Sequence, residues 1–148
     1  MKIIEVSPFS KDAKMLMEEL SQSLVSITGS SGQSSIQLEN LTKPNAKFVI
    51  AYKKGMPVGC GAFRPLTPQI AEMKRMYAKY PGQQIGKTLL QHLEVSAKNA
   101  GYQKIWLETR LKNRNAVAFY QKNGYSKIAN YGKYEHMPEA ICFEKALD

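Results

Sequence analysis

Residues 71–88 read AEMKRMYAKYPGQQIGKT. Ala71 to Ala78 has the apolar, extended character of a strand. A short polar turn with Pro81 and Gly82 follows. From Ile85 the apolar residues fall at helical spacing: Ile85, Leu89, Leu93 and Ala97 recur every four positions, with Leu90 beside them. A strand that passes through a Gly-bearing turn into a helix is a phosphate-holding device. The first N–H groups of the helix have no partner within it, and the helix dipole adds positive potential where they point. Lys79 and Lys87 add to it. One reading of GQQIGKT is the nucleoside-triphosphate loop G-x-x-x-x-G-K-[ST], but that motif needs Gly where Pro81 stands. A proline with its locked φ cannot make the tight wrap.

Outward from this stretch the chain orders itself. Lys2 to Val6 reads as a first strand. Ser10 or Asp12 caps a helix running to about Val25, with Ala13, Leu16, Met17 and Leu20 on its apolar face. TGSSGQSS, residues 28–35, reads as a mobile loop, either a substrate lid or a plain surface loop. A second helix is expected near Ile36 to Leu41. Phe48 to Tyr52 and Pro57 to Phe63 form a hairpin turning at Gly55. The strand of the opening follows, then its helix to about Asn99, with Gly101 just past its cap. Gln103 to Thr109, Tyr125 to Ile128 and Ala140 to Ala146 read as strands, and Asn113 to Asn123 as a short helix stopped at Gly124. The central strand–helix–strand unit implies two parallel strands joined by a right-handed crossover. Hairpins imply antiparallel pairs elsewhere. The expected fold class is α/β (α+β), a mixed and mostly antiparallel sheet flanked by helices, in one domain spanning residues 1–148.

At 148 residues the chain can bury a sizeable core, and 43% hydrophobic with 22% charged residues marks a globular protein. No apolar run approaches the roughly 20 residues of a membrane span, and the N-terminus has no signal-peptide core. The expected location is cytoplasmic, with no membrane partner. Cys60 and Cys142 lie far apart without a CxxC spacing, and His92 and His136 add no ligand pattern, so neither disulfide nor metal is expected. The formal net charge of +9 asks for an anionic partner. Lys and Arg are scattered, with no basic run or aromatic stripe to mark a nucleic-acid face. A nucleic-acid partner is therefore not expected, and a phosphorylated cofactor accounts for part of the charge.

A second stretch, Asn113 to Tyr125, reads NRNAVAFYQKNGY. Ala116, Phe119 and Tyr120 share one helical face at i, i+3 and i+4. Asn113 suits a helix cap, Phe119 a core position, and Tyr120 either core or site. The stretch resembles the segment N-x-x-A-x-x-[LF]-Y-x-x-x-G-[FY] of the GNAT N-acetyltransferases at Asn113, Ala116, Phe119, Tyr120, Gly124 and Tyr125. Residues 81–86, PGQQIG, are similar to that family's acetyl-coenzyme A loop, [Q/R]-x-x-G-x-[G/A], with two departures: Pro81 for Arg/Gln and Gln84 for the central Gly.

The resemblance implies the GNAT-type acyl-CoA N-acyltransferase fold and acetyl-CoA as acetyl donor. It implies transfer to a primary amine of a small molecule or protein, by direct attack in a ternary complex. It assigns cofactor contacts to Met76, Tyr77 and Ala78 on the strand, and to Gly82, Gln83, Gln84, Ile85, Gly86, Lys87 and Thr88 in the loop and helix start. Asn113, Ala116 and Tyr120 complete the set. Tyr120 is matched to the general acid that protonates the leaving thiolate; thiol and phenol ionise near about 8.5 and about 10. A backbone N–H near Met76 or Tyr77 is expected to hold the developing oxyanion. Glu72 is the expected catalytic base, four residues before Met76 and on the same face of a regular strand; its alternative role is an ion pair near Lys74. Glu108 is the second choice of base. Tyr134, Glu135 and His136 lie where the family's substrates sit. The departures at Pro81 and Gln84 leave a non-catalytic acyl-CoA-binding or regulatory module as the rival reading. A homodimer is compatible with the sequence.

Overall fold

The computed structural model describes residues 1–32 and 37–148. The expected start of the second helix at Ile36, and the end of the loop at residues 33–35, lie outside the described residues. Seven strands form one sheet: β1 (Lys2–Glu5), β2 (Lys47–Lys53), β3 (Met56–Pro65), β4 (Ile70–Ala78), β5 (Lys104–Arg110), β6 (Ser126–Ile128) and β7 (Ala140–Ala146). Their spatial order is β1-β2-β3-β4-β5-β7-β6. Every pairing is antiparallel except β4 with β5, which is parallel as the crossover through the intervening helix requires. The helices are α1 (Lys11–Thr28), α2 (Ile85–Asn99) and α3 (Arg114–Lys122). Leu38–Leu41 is a single 3₁₀ turn rather than a full helix, and Gly132–Tyr134 is another that the sequence reading did not anticipate.

Local chemistry accounts for the boundaries. Ser10 caps α1, its hydroxyl accepting from the Ala13 N–H at 3.3 Å. The helix runs three residues past the expected end because Gly29, at φ 81°, closes it with its N–H on the Val25 carbonyl. The β2–β3 hairpin turns on Lys54 and Gly55, both with positive φ, which suits a two-residue turn in a right-twisted ribbon. Asn113 caps α3 through the Ala116 N–H at 3.3 Å.

Each face of the sheet has its own core. On one, α2 and Tyr120 of α3 pack over Val49, Phe63, Met73, Ile105, Leu107 and Phe143. On the other, Ala13, Leu16 and Met17 of α1 pack over Phe48, Ile50, Cys60 and Ala62.

Two irregularities open the middle of the sheet. First, β4 and β5 are in register only over Ile70–Glu72 with Lys104–Trp106, and they diverge beyond it. Second, β4 bulges against β3. The register runs Lys74 to Ala62 and resumes at Tyr77 to Cys60, so Arg75 and Met76 both stand opposite Gly61. Arg75 takes up the extra residue at φ 55°. A Cβ at Gly61 would lie 2.4 Å from the Met76 sulfur and 2.8 Å from Leu93 Cδ1, so one of these side chains would have to shift. The bulge also overturns the regular-strand expectation. Glu72 and Lys74 belong to the α1 face, Arg75 reaches α1, and Met76 packs into the α2 core. Glu72 and Met76 therefore lie on opposite faces.

Candidate active site

The divergence of β4 and β5 produces a cleft that runs through the sheet. It is lined by Met73, Lys74, Arg75 and Met76 of β4, Leu107 to Arg110 of β5, Asn113, Ala116 and Tyr120 from α3 and its cap, and Leu20, Leu24 and Thr28 of α1. Of the expected site residues, Met76, Asn113, Ala116 and Tyr120 thus meet in one place.

Tyr120 is 8% exposed and its ring is held edge-on by Phe119 and Tyr125, with centroids 5.2 and 5.5 Å away. Its hydroxyl makes no hydrogen bond among the described residues, and burial pushes the phenol above its ordinary range. It is a protonated donor facing the cleft with nothing to donate to. Asn113 lines the cleft while its Oδ1 caps α3, so its capping and site positions coincide.

The start of α2 lies beyond the end of β4. Pro81 to Gln84 are exposed, and Gln84 sits at φ 62° immediately before the helix, with no side-chain cap. The left-handed turn that a glycine would take is made here by glutamine. The N–H groups of Ile85, Gly86 and Lys87 are in the first turn, where the helix supplies no acceptor. No acidic side chain stands in that turn. Lys53 Nζ donates to Gln83 Oε1 at 3.1 Å, bringing a cation to the same loop. At Gly86 an added Cβ would meet Phe119 Cζ at 3.4 Å and the Ala78 Cβ at 3.9 Å, ordinary van der Waals contact. The side chain of Tyr77 goes to the other face, where its hydroxyl donates to Glu19 of α1 at 3.0 Å.

The two carboxylates considered for the base differ sharply. Glu72 is 1% exposed and fully engaged. Oε1 accepts from Arg64 Nε at 2.9 Å, and Oε2 accepts from the Tyr131 hydroxyl at 2.6 Å, with Lys74 Nζ at 3.6 Å. Glu108 lines the cleft with its side chain 8% exposed. Its Oε2 has no hydrogen-bond donor among the described residues; Arg110 Nε stands 3.3 Å away as an ion pair. Burial pushes the Glu108 carboxyl above its ordinary range, and the cations of Arg110 and Lys74 partly oppose the shift.

Tyr131 and Trp106, which the sequence reading passed over, stand beside Tyr134, which it named. Lys74 Nζ donates to the Tyr134 hydroxyl at 2.8 Å, and the Tyr131 ring packs on Trp106 at 4.9 Å and against Tyr134 at 5.6 Å. Tyr134 is buried, whereas Glu135 and His136 are exposed beside it. Aromatic residues flanking a strand that carries a buried Lys and Glu were the available signal. Among the described residues no His, Cys, Asp and Glu side chains gather as a metal site, and no helix is long and apolar enough to cross a membrane.

Comparison with known proteins gives consistent matches. A profile of the Acetyltransferase (GNAT) family matches residues 13–125. The IAA acetyltransferase of Azospirillum brasilense is 32% identical over 148 residues, covering 98% of this chain and 97% of its own. A Klebsiella pneumoniae protein assigned to the acyl-CoA N-acyltransferases superposes with a TM-score of 0.83 at 26% identity, over 99% of this chain and 97% of that one. A GNAT family acetyltransferase from Elizabethkingia anophelis, solved with acetyl-CoA bound, shares the fold with a TM-score of 0.72 at 20% identity, over 99% and 97% of the two chains.

Proposed function

The chain belongs to the GNAT acetyltransferase family, and from that premise we propose that it moves the acetyl group of acetyl-CoA to a primary amine through a direct attack in the cleft between β4 and β5. The observation that carries this reading is the pairing of Tyr120 and Glu108 across one cleft, next to a helix start with free N–H groups. The anionic pyrophosphate suits the first turn of α2, from Gly82 to Thr88, where backbone donors and the helix dipole converge. Asn113, Ala116 and Met76 line the way from there to the reacting carbonyl.

The steps balance without a further reagent. Glu108, ionised, takes a proton from the acceptor ammonium. The free amine nitrogen bonds to the thioester carbon, and the oxyanion is held by a backbone N–H of the β4 bulge near Met76 or Tyr77. Collapse breaks the carbon–sulfur bond, Tyr120 gives its proton to the departing thiolate, and the second proton of the amide nitrogen returns through solvent to the Tyr120 phenolate while Glu108 releases its proton to bulk water. Glu108 is preferred to Glu72 as base because its carboxylate has an unbonded oxygen in the cleft, whereas both oxygens of Glu72 are taken by Arg64 and Tyr131. Glu72 instead fixes Lys74 and Tyr131.

Thiol release from acetyl-CoA across a panel of amines tests the activity. Tyr120→Phe keeps the ring and removes the proton, so kcat is expected to fall about 10²–10⁴-fold with little change in acetyl-CoA affinity. Near-wild-type kcat with chemistry rate-limiting would reduce Tyr120 to packing. For the base, kcat/KM should rise with pH as Glu108 ionises. Glu108→Gln should remove that acidic limb and Glu72→Gln should keep it; the reverse outcome would return the role to Glu72.

A further inference from the structure

Arg75 is unusual in three ways at once. It is the bulge residue of β4, at a positive φ that disfavours a long side chain. It is 8% exposed and lines the cleft. Among the described residues its guanidinium has no carboxylate partner. Nη2 donates to the Met17 carbonyl at 3.1 Å and to Ser21 Oγ at 2.7 Å, Nη1 donates to the Ser31 carbonyl at 3.4 Å, and Nε has no acceptor among the described residues. The four remaining residues, Gln33 to Ile36, contain no acid that could neutralise it. Neutral acceptors orient a guanidinium without cancelling its charge, and a buried cation without a counter-ion is costly to keep.

The surroundings do not compensate. Lys74 and Arg110 also line the cleft, against the single carboxylate of Glu108. One layer further out, Glu72 pairs with both Arg64 and Lys74, and Glu139 lies 3.8 Å from Arg110 Nη1. Lys133 sits over the Tyr134 ring at 5.8 Å. The acceptor side therefore keeps a net positive charge around Arg75, next to the one carboxylate suited to an ammonium group.

We propose that the acceptor carries an anionic group of the carboxylate or phosphonate kind beside its amine, and that Arg75 receives that group while Glu108 receives the amine. The inference rests on the acetyltransferase reading and narrows it to small zwitterionic amines. A polycation such as spermidine would set its second charge against Lys74, Arg75 and Arg110.

The test compares acceptors in matched pairs, per free amine: amino acids against their amides, aminoalkylphosphonates against aminoalkanols, with spermidine alongside. The expected result is kcat/KM at least tenfold higher for the anionic member, and the better of the two acidic series names the anion. Arg75→Gln should raise KM for the anionic acceptor tenfold or more, leave the neutral member within about twofold, and lower kcat less than it raises KM. Arg75→Lys should recover part of the loss. Equal or better turnover of amides, aminoalkanols or spermidine by the wild type would overturn the inference and leave the acetyltransferase reading intact; this comparison needs no variant to fold. Equal loss on charged and neutral acceptors in Arg75→Gln would make Arg75 a staple between α1 and the bulge. No thiol release with any amine would overturn both readings.

Discussion

Glu108 and Tyr120 carry opposite consequences for stability and turnover. The folded state holds the Glu108 proton more tightly than the unfolded chain does, because burial raises its pKa from the ordinary 4.5. Its contribution to stability is therefore full below about 4.5 and is lost as pH rises through the folded value. At neutral pH the ionised carboxylate is a cost. Glu108→Gln is expected to hold or raise the melting temperature at pH 7 while cutting turnover, and to lose that advantage in acid; a melting temperature that falls at pH 7 would mean that the Arg110 pair outweighs burial. Tyr120→Phe should leave folding nearly untouched, since the hydroxyl has no partner to lose. The sequence singled out Tyr120 through its motif, because a helical face and a family spacing are both written in residue types, and Tyr120 lines the cleft. For the base it put Glu72 first and Glu108 second, from strand position and the family resemblance. That choice depends on which neighbours occupy the oxygens, and Tyr131 lies 59 residues from Glu72.

Among elements, the helix starting at Ile85 and its strand were legible almost to the residue, because periodicity and turn residues mark them. The bulge of β4 was not. No residue type announces that Arg75 will adopt φ 55°, and that one extra residue reversed the face assigned to Met76. The departure at Gln84 resolves in the same currency: the left-handed turn persists at φ 62° without a glycine. A non-glycine residue there costs on the order of 1–2 kcal/mol, and Gln84→Gly is expected to recover part of it, about 0.5–1 kcal/mol after the entropic penalty of glycine. Denaturant midpoints measure this, and acetyl-CoA affinity should hold or improve. Gly61→Ala tests the bulge itself. Its Cβ would meet the Met76 sulfur at 2.4 Å, so a loss of about 1–3 kcal/mol is expected from overpacking, with a larger fall in kcat than a remote core change of equal cost.

For the molecule as a whole, the sheet behaves as two blocks, β1 to β4 and β5 to β7, joined by three register pairs between β4 and β5. A ligand seated in the divergence touches both. Acetyl-CoA at a hundredfold excess over its Kd should add about 2.7 kcal/mol, or roughly 5–10 °C in melting temperature for a chain of this length. Amides of β4 and β5 should exchange more slowly in the complex than those of β1 and β6; uniform protection would argue against a hinge. The global positive charge pointed to an anionic ligand from the outset, but not to where on the surface it would sit, since that depends on folding. The order of the second block has a consequence for how the protein is made. β7 lies between β5 and β6, and among the described residues β6 pairs with no other strand. During synthesis β6 leaves the ribosome before its only neighbour exists, and the outer edge of β5 waits with it. The first block can close on itself while the second remains open, so nascent chains halted before Ala140 are expected to be protease-sensitive from β5 onward and protected before it.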